Sequence, residues 1–294
     1  MEDIKDLFAY IRNDLNAALA ATTGDLKLRI NTDAICVAGS SAGGLCTYLC
    51  AMHLSPKPKA LLSIYGAIGE CLVRRFRIFE PEPCLSCCST QNDYFLEPKT
   101  KPFVVDRPLD DPADFTEFLF PQSLSLPVVA ESPVEYYPPT HETPGLPATK
   151  RMHVSGLYFQ LGVWLDYYTG DHTLSQRLRQ LELSPVSSSD GLTWTLDPIK
   201  AREVIGEKNI RLLPQFGVAW DWPPALFVHG TKDCHVLLHE SKHLAEKLRG
   251  VGVKNELIEV EGQPHGFDNA LDAEKKYRKL FDRAADFLLQ NLHK

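Results

Sequence analysis

One stretch constrains the fold more than any other: ICVAGSSAGGLCTYLCAM, residues 35–52. A short, mostly apolar run over 34–39 predicts a buried parallel strand. It meets Gly39-Ser40-Ser41-Ala42-Gly43, and from Ala42 the pattern turns helical to about Met52. A second apolar run, KALLSIYGAIG over 59–69, predicts another buried strand. Ahead of both, Ile4, Leu7, Phe8, Ile11, Leu15 and Leu19 repeat at helical spacing, which predicts an amphipathic helix over 3–20. Helix, strand, helix, strand is a βαβ rhythm, and it implies a parallel sheet.

The rhythm then stops. Prolines recur every few residues over 80–147, in EPEPC, LDDPADF, PQSLSLP and YYPPTHETPGLP. Proline removes a backbone donor and biases its predecessor away from helix, so long regular elements are not expected there. MHVSGLYFQLGVWLDYYTG predicts a helix ending at Gly170, and DHTLSQRLRQL a short one starting at Asp171. SPVSSSDGLTW reads as loop. Sheet rhythm returns with PPALFVHGTKD, a helix over 236–249, the strand NELIEVEG and a terminal helix over 271–292. The expected organisation is therefore a parallel α/β core formed by 1–70 and 223–294. Residues 71–222 are expected to form a cap between them, proline-rich and then helical.

Composition excludes some functions. A net charge of −7 offers no basic stripe for nucleic acid. No apolar run is long enough to span a bilayer, so stable membrane insertion is not expected. The opening MEDIKDLFAYIRNDL lacks the basic start and apolar core of a secretory leader. Cys36, Cys46, Cys50 and Cys71 lie among apolar residues, and CLSCC over 84–88 has no second ligand pair to complete a zinc site. Reduced thiols, a cytoplasmic location and no cofactor or metal are the expectation.

Gly39-Ser40-Ser41-Ala42-Gly43 fits G-x-S-x-G only with Ser41 central. A serine on a sharp strand-to-helix turn holds strained backbone angles. Gly39 and Gly43, two residues away on either side, are expected to approach other backbone closely. The Ala42 N–H opens the helix and faces any charge developing beside Ser41, as one donor of an oxyanion hole. Serine needs a base, and the base an orienting carboxylate. Asp233 follows the strand ALFVHG, and His265 lies in EGQPHGFD just past the next strand. The order Ser41, Asp233, His265 is that of α/β-hydrolases.

VAGSSAGG, PPALFVHGTKDCHV, ESKHLAEKL and VEGQPHGFD resemble the α/β-hydrolase fold-3 family, the hormone-sensitive-lipase-like esterases. The resemblance covers roughly residues 3–69 and 223–294, and LYFQLGVWLDYYTG is similar to the insertion of fungal members. It implies cofactor-free hydrolysis of a small carboxylic ester: Ser41 as nucleophile, His265 as base, Asp233 as its orienter and Ala42 as an oxyanion donor. Ser40 stands where relatives often carry an acidic residue. The family also places several strands before the first helix, and a loop among them carries H-G-G-G, the source of further oxyanion donors. This chain contains no H-G-G. The expectation is thus an N-terminally truncated core whose strand 34–39 exposes an apolar edge, open to a second copy or to a preceding segment. A weakened or non-catalytic, ligand-binding hydrolase fold is the alternative. A peptidase of the prolyl-oligopeptidase type would use the same triad.

Two further features need placing. His239-Glu240-Ser241-Lys242-His243 matches the zinc-peptidase pattern H-E-x-x-H, yet the helical wheel puts Leu237, Leu244 and Leu248 on one face and both histidines on the other, expected to be solvated. Tyr158, Phe159, Trp164 and Tyr167 either line an apolar pocket or form plain core.

Overall fold

A computed structural model describes residues 1–24, 27–75, 109–121, 150–188 and 191–292. In chain order the elements begin with helices α1 (Glu2–Asn13) and α2 (Leu15–Thr23), strand β1 (Val37–Ser40), helix α3 (Ala42–His53) and strands β2 (Leu61–Ile64) and β3 (Val73–Arg75). Helices α4 (Lys150–Gln160), α5 (Trp164–Thr169) and α6 (Leu174–Arg179) follow, then strands β4 (Leu183–Ser188) and β5 (Gly191–Leu196) and helix α7 (Pro198–Ile210). The chain ends with α8 (Pro214–Gly217), β6 (Ala225–Gly230), α9 (Leu238–Gly250), β7 (Asn255–Val260), α10 (Ala273–Lys276) and α11 (Arg278–Leu292).

Two compact units result. The first joins Met1–Cys71 to Ile210–Lys294, and the second is Leu72–Asn209. Residues 210–222 belong to the first unit because their side chains do: Leu213 and Trp222 are buried, and Trp222 packs with Tyr48 and Phe227.

The first unit is a parallel sheet in the order β1-β2-β6-β7, with Val37 opposite Leu61, Leu61 opposite Ala225, and Ala225 opposite Asn255. All six residues of β6 are buried, which explains why it reads as a continuous apolar run. Alternation sends its side chains to both faces. Ala225 and Phe227, with Leu61, pack with Tyr48 of α3 and with Leu244 and Leu248 of α9. Leu226 and Val228, with Leu62, pack with Ala284, Leu280 and Phe287 of α11. Helix α1 adds a smaller cluster, Phe8 against Cys50 and Leu54. Strand β1 lies at the sheet's edge, with no partner on its outer side among the described residues, and Ala38 is exposed.

Several sequence expectations need correcting. The helix expected over 3–20 is two, divided at Asp14, whose φ of −117° departs from helical geometry. The strand expected over 59–69 stops at Ile64, because Tyr65 and Ile68 adopt left-handed φ values of 41° and 69°. The helix expected to end at Gly170 is broken at Gly162 (φ 67°), although Gly170 does cap it. SPVSSSDGLTW, read as loop, contains an antiparallel pair, β4 with β5, in the order β3-β5-β4. Strand β4 includes Pro185 and lies at the sheet's edge, where a missing N–H is tolerated. This second unit buries Leu157, Leu165, Leu174, Leu178 and Leu196. No helix of the described residues is long and apolar enough to cross a membrane.

Phe227, 1% exposed, sits at the centre of the sheet. Phe227→Ala is expected to destabilise the first unit by about 3–5 kcal/mol, read from the denaturant midpoint.

Candidate active site

Ser41 occupies the turn between β1 and α3 with φ 51° and ψ −123°, a conformation costly for any residue with a Cβ. Three backbone hydrogen bonds hold it: its N–H donates to the Ile64 carbonyl (3.1 Å), and its carbonyl accepts from Gly44 (2.9 Å) and Ala67 (2.8 Å). Close packing fixes the rest. A Cβ at Gly39 would lie 2.2 Å from the Gly43 carbonyl oxygen, and one at Gly44 would lie 2.3 Å from the Gly66 Cα. A Cβ at Gly43 would meet nothing within 4 Å, so the steric demand expected at Gly43 falls on Gly44 instead.

Asp233 and His265 follow the carboxyl ends of β6 and β7. Their loops are held together through Gly230, where a Cβ would stand 2.2 Å from the Gln263 carbonyl oxygen, and through the Lys232 N–H donated to that carbonyl (3.0 Å). His265 Nε2 lies 3.0 Å from Ser41 Oγ, and its Nδ1 lies 2.7 Å from Asp233 Oδ2. With the proton on Nδ1, the imidazole donates to Asp233 and accepts from the Ser41 hydroxyl. The structure thus brings the three sequence-selected side chains into one relay. Ala42 is the first residue of α3, so its N–H has no intrahelical acceptor.

Asp233 is 3% exposed. Its Oδ1 accepts from the His235 (2.9 Å) and Val236 (3.0 Å) backbone N–H groups, and His229 Nε2 stands 3.3 Å from Oδ2. Burial alone would raise its pKa. The contacts with His229 and then His265 outweigh burial and bring it down to about 2.

Sequence reasoning missed two residues here. His229, fully buried, contacts the Val236 carbonyl (2.9 Å) and the Ser241 hydroxyl (2.8 Å) besides Asp233. Its signal was the His-Gly pair ending β6. Tyr65 sets its ring 4.5 Å, centroid to centroid, from that of His265, and its hydroxyl donates to Asp268. Nothing in the local pattern marked Tyr65, which looked like strand.

The H-E-x-x-H segment differs from its expected solvated face. Glu240 and Ser241 are buried, and His239 and His243 half-buried. His243 Nε2 lies 2.8 Å from Glu70 Oε2. Among the described residues no group of three or more His, Cys, Asp or Glu is arranged to hold a metal ion. Cys36, Cys46 and Cys50 are free thiols, and burial pushes the Cys50 thiol up to about 11. CLSCC lies outside the described residues. In the second unit Tyr158, Trp164 and Tyr167 line a cavity of about 380 Å³, and Phe159 stacks on Trp164 with centroids 5.5 Å apart.

A serine on a strained strand-to-helix turn, an acid after the next-but-one strand and a histidine after the last, on a parallel sheet with helices on both faces, make this an α/β-hydrolase fold.

Gly44→Ala is expected to lower thermal stability and Gly43→Ala to be tolerated, as paired melting curves would show. Because folding lowers the Asp233 pKa, its contribution of about 2 kcal/mol is complete above about pH 4 and disappears as pH falls toward about 2. Denaturation of Asp233→Asn should show a flatter acid limb than wild type over that window.

No protein-family profile and no curated protein matches the chain. Solved structures do. A thermophilic esterase of the planctomycete Thermogutta terrifontis is 15% identical over 98% of this chain and 64% of its own, with a TM-score of 0.41. An acetyl ester-xyloside bifunctional hydrolase from Caldicellulosiruptor lactoaceticus is 16% identical over 96% and 65%, with a TM-score of 0.39. An alpha/beta hydrolase from a Medee basin deep-sea metagenome library is 14% identical over 95% and 62%, with a TM-score of 0.37. The chain spans less than two thirds of the length of these three structures.

Proposed function

We propose that the protein is a serine hydrolase acting on carboxylic esters, with Ser41 as nucleophile, His265 as general base and Asp233 as its orienter. One observation carries this reading: the continuous relay from Ser41 Oγ through both ring nitrogens of His265 to a buried, ionised Asp233. In the proposed reaction Ser41 Oγ attacks the ester carbonyl while His265 Nε2 takes its proton. The same proton passes to the departing alkoxide, leaving an acyl-Ser41. Water, deprotonated by His265, then attacks the acyl carbon, and the proton returns to Ser41 as the acid leaves. Asp233 stays ionised throughout and stabilises the transient imidazolium.

The elbow, acid-loop and histidine-loop motifs support a place, within this fold, among the hormone-sensitive-lipase-like esterases. The oxyanion formed at each step meets the Ala42 N–H. The family's remaining donors come from an H-G-G-G that this sequence does not contain. Each donor of this kind contributes about 10²–10³ in rate, so slow turnover is part of the proposal.

A fluorophosphonate probe is expected to label Ser41 in wild type and not in Ser41→Ala, with hydrolysis of short aryl esters feeble. Failure of folded wild type to label would leave a non-catalytic binding fold as the reading. Robust turnover lost in Ser41→Ala would instead sink the account of the missing donors.

A further inference from the structure

Residues 65–71, directly after β2, carry an unusual concentration of strain. Tyr65 and Ile68 both have positive φ, at 41° and 69°, and neither is glycine. Left-handed angles at such residues persist only where the surroundings over-determine them. Here the surroundings are specific acceptors. The Tyr65 N–H donates to the Val228 carbonyl (2.7 Å), Ala67 to the Ser41 carbonyl (2.8 Å), Ile68 to Glu240 Oε2 (2.6 Å) and Cys71 to Gln215 Oε1 (2.8 Å). A Cβ at Gly69 would stand 2.5 Å from the Glu240 carbonyl oxygen, so the segment lies hard against α9 at that residue.

Glu240 is a carboxyl group 5% exposed, and the proposed reaction has no use for it. Burial raises its pKa, the Ile68 N–H opposes that, Glu70 raises it further, and the outcome is about 8. At neutral pH it is therefore mostly a neutral acid, an acceptor that brings little charge. Glu70 beside it is tied separately, to Gln215 Nε2 (3.0 Å) and His243 Nε2 (2.8 Å). The segment that Glu240 holds reaches two proposed catalytic groups: Ala67 braces the Ser41 carbonyl, and the Tyr65 ring packs on His265.

We propose that Glu240 is a positioning residue for Ser41 and His265: by accepting the Ile68 N–H from α9, it clamps the strained 65–71 segment against the nucleophile turn. The proposal rests on the hydrolase reading of Ser41 and His265. It also gives H-E-x-x-H a role in this chain. The glutamate faces a loop's backbone, and His243 serves the neighbouring carboxylate.

Full-length wild type, Glu240→Gln and Glu240→Met are compared by the rate of fluorophosphonate labelling at Ser41 and by amide hydrogen exchange at Ala67 and Ile68. Glutamine keeps a carbonyl acceptor at the same reach and should label within about twofold of wild type. Methionine fills similar space without an acceptor and leaves the Ile68 N–H orphaned. Labelling should fall about tenfold, with Ala67 and Ile68 exchanging faster together while β6 stays protected. Wild-type labelling and unchanged Ala67 exchange in Glu240→Met would overturn the proposal. So would a Glu240→Gln variant as impaired as Glu240→Met. Should Glu240→Met not fold, wild-type exchange decides: an Ile68 amide as open as an exposed loop overturns the clamp, and protection close to that of β6 supports it. Wild type that never labels defeats the hydrolase reading, and the exchange comparison then still judges the clamp.

Discussion

The site depends on holding Ser41 in a backbone conformation that it would not adopt alone. Angles of 51° and −123° cost about 1–3 kcal/mol at a residue with a Cβ. That cost is offset by acceptors and donors already fixed by the sheet. Ile64 ends β2, and Ala67 lies three residues beyond it, so the strand beside β1 supplies both the acceptor for the Ser41 N–H and a donor to its carbonyl. The glycines act in the same structure. Gly39 lets the Gly43 carbonyl approach, and Gly44 lets α3 reach the backbone of Gly66. Strain at Ser41 is thus distributed over two strands and a helix, none of which can relax by itself.

Two buried carboxyl groups only a few residues apart, Asp233 and Glu240, show how environment divides one chemistry into two roles. Both lose water, and burial raises both. Asp233 recovers through the imidazoles of His229 and then His265 near Oδ2, and it ends near 2. Glu240 has backbone donors alone and another carboxylate, Glu70, nearby, and it ends near 8. Asp233 has imidazole partners where Glu240 has a second carboxylate. An ionised Asp233 suits the orientation of an imidazole that becomes positive. A neutral Glu240 suits the holding of backbone without adding repulsion to the same side of the sheet.

Much of this was legible in the sequence because it is local. Val37–Ser40, Ala42–His53 and Ala225–Gly230 each carry their own apolar pattern, and Ser41, Asp233 and His265 each sit where such a pattern ends. What was not legible depends on partners distant in the chain. The end of β2 at Ile64 is set by left-handed angles at Tyr65 and Ile68, and the acceptor that permits the second is Glu240, 172 residues on. The face of α9 carrying the histidines looked like a water-facing one because a helical wheel shows which residues share a face, not what covers it. Tyr65 reads as one more strand aromatic until His265 is placed beside its ring. Strand β4 pairs with β5 at a sheet edge, where Pro185 is tolerated, and sheet order is not written in the local pattern.

Within the proposed chemistry, proton transfer and charge stabilisation are unequally equipped. The relay from Ser41 to Asp233 is fully assembled, with both contacts of His265 at 3.0 Å or less, and general acid–base catalysis of this kind contributes about 10²–10⁴ in rate. The oxyanion has one donor identified, the Ala42 N–H at the head of α3. Each further donor contributes about as much as the lower half of the relay's whole range. On that proposal, a serine so activated but facing few oxyanion donors would react more readily with strongly electrophilic reagents than with ordinary esters. Reactivity toward a phosphonate probe and turnover of an ester are therefore separate properties of this site. Both draw on the relay through His265 and on the donors around the developing oxyanion, but a fluorophosphonate needs a single attack whereas an ester must also be deacylated.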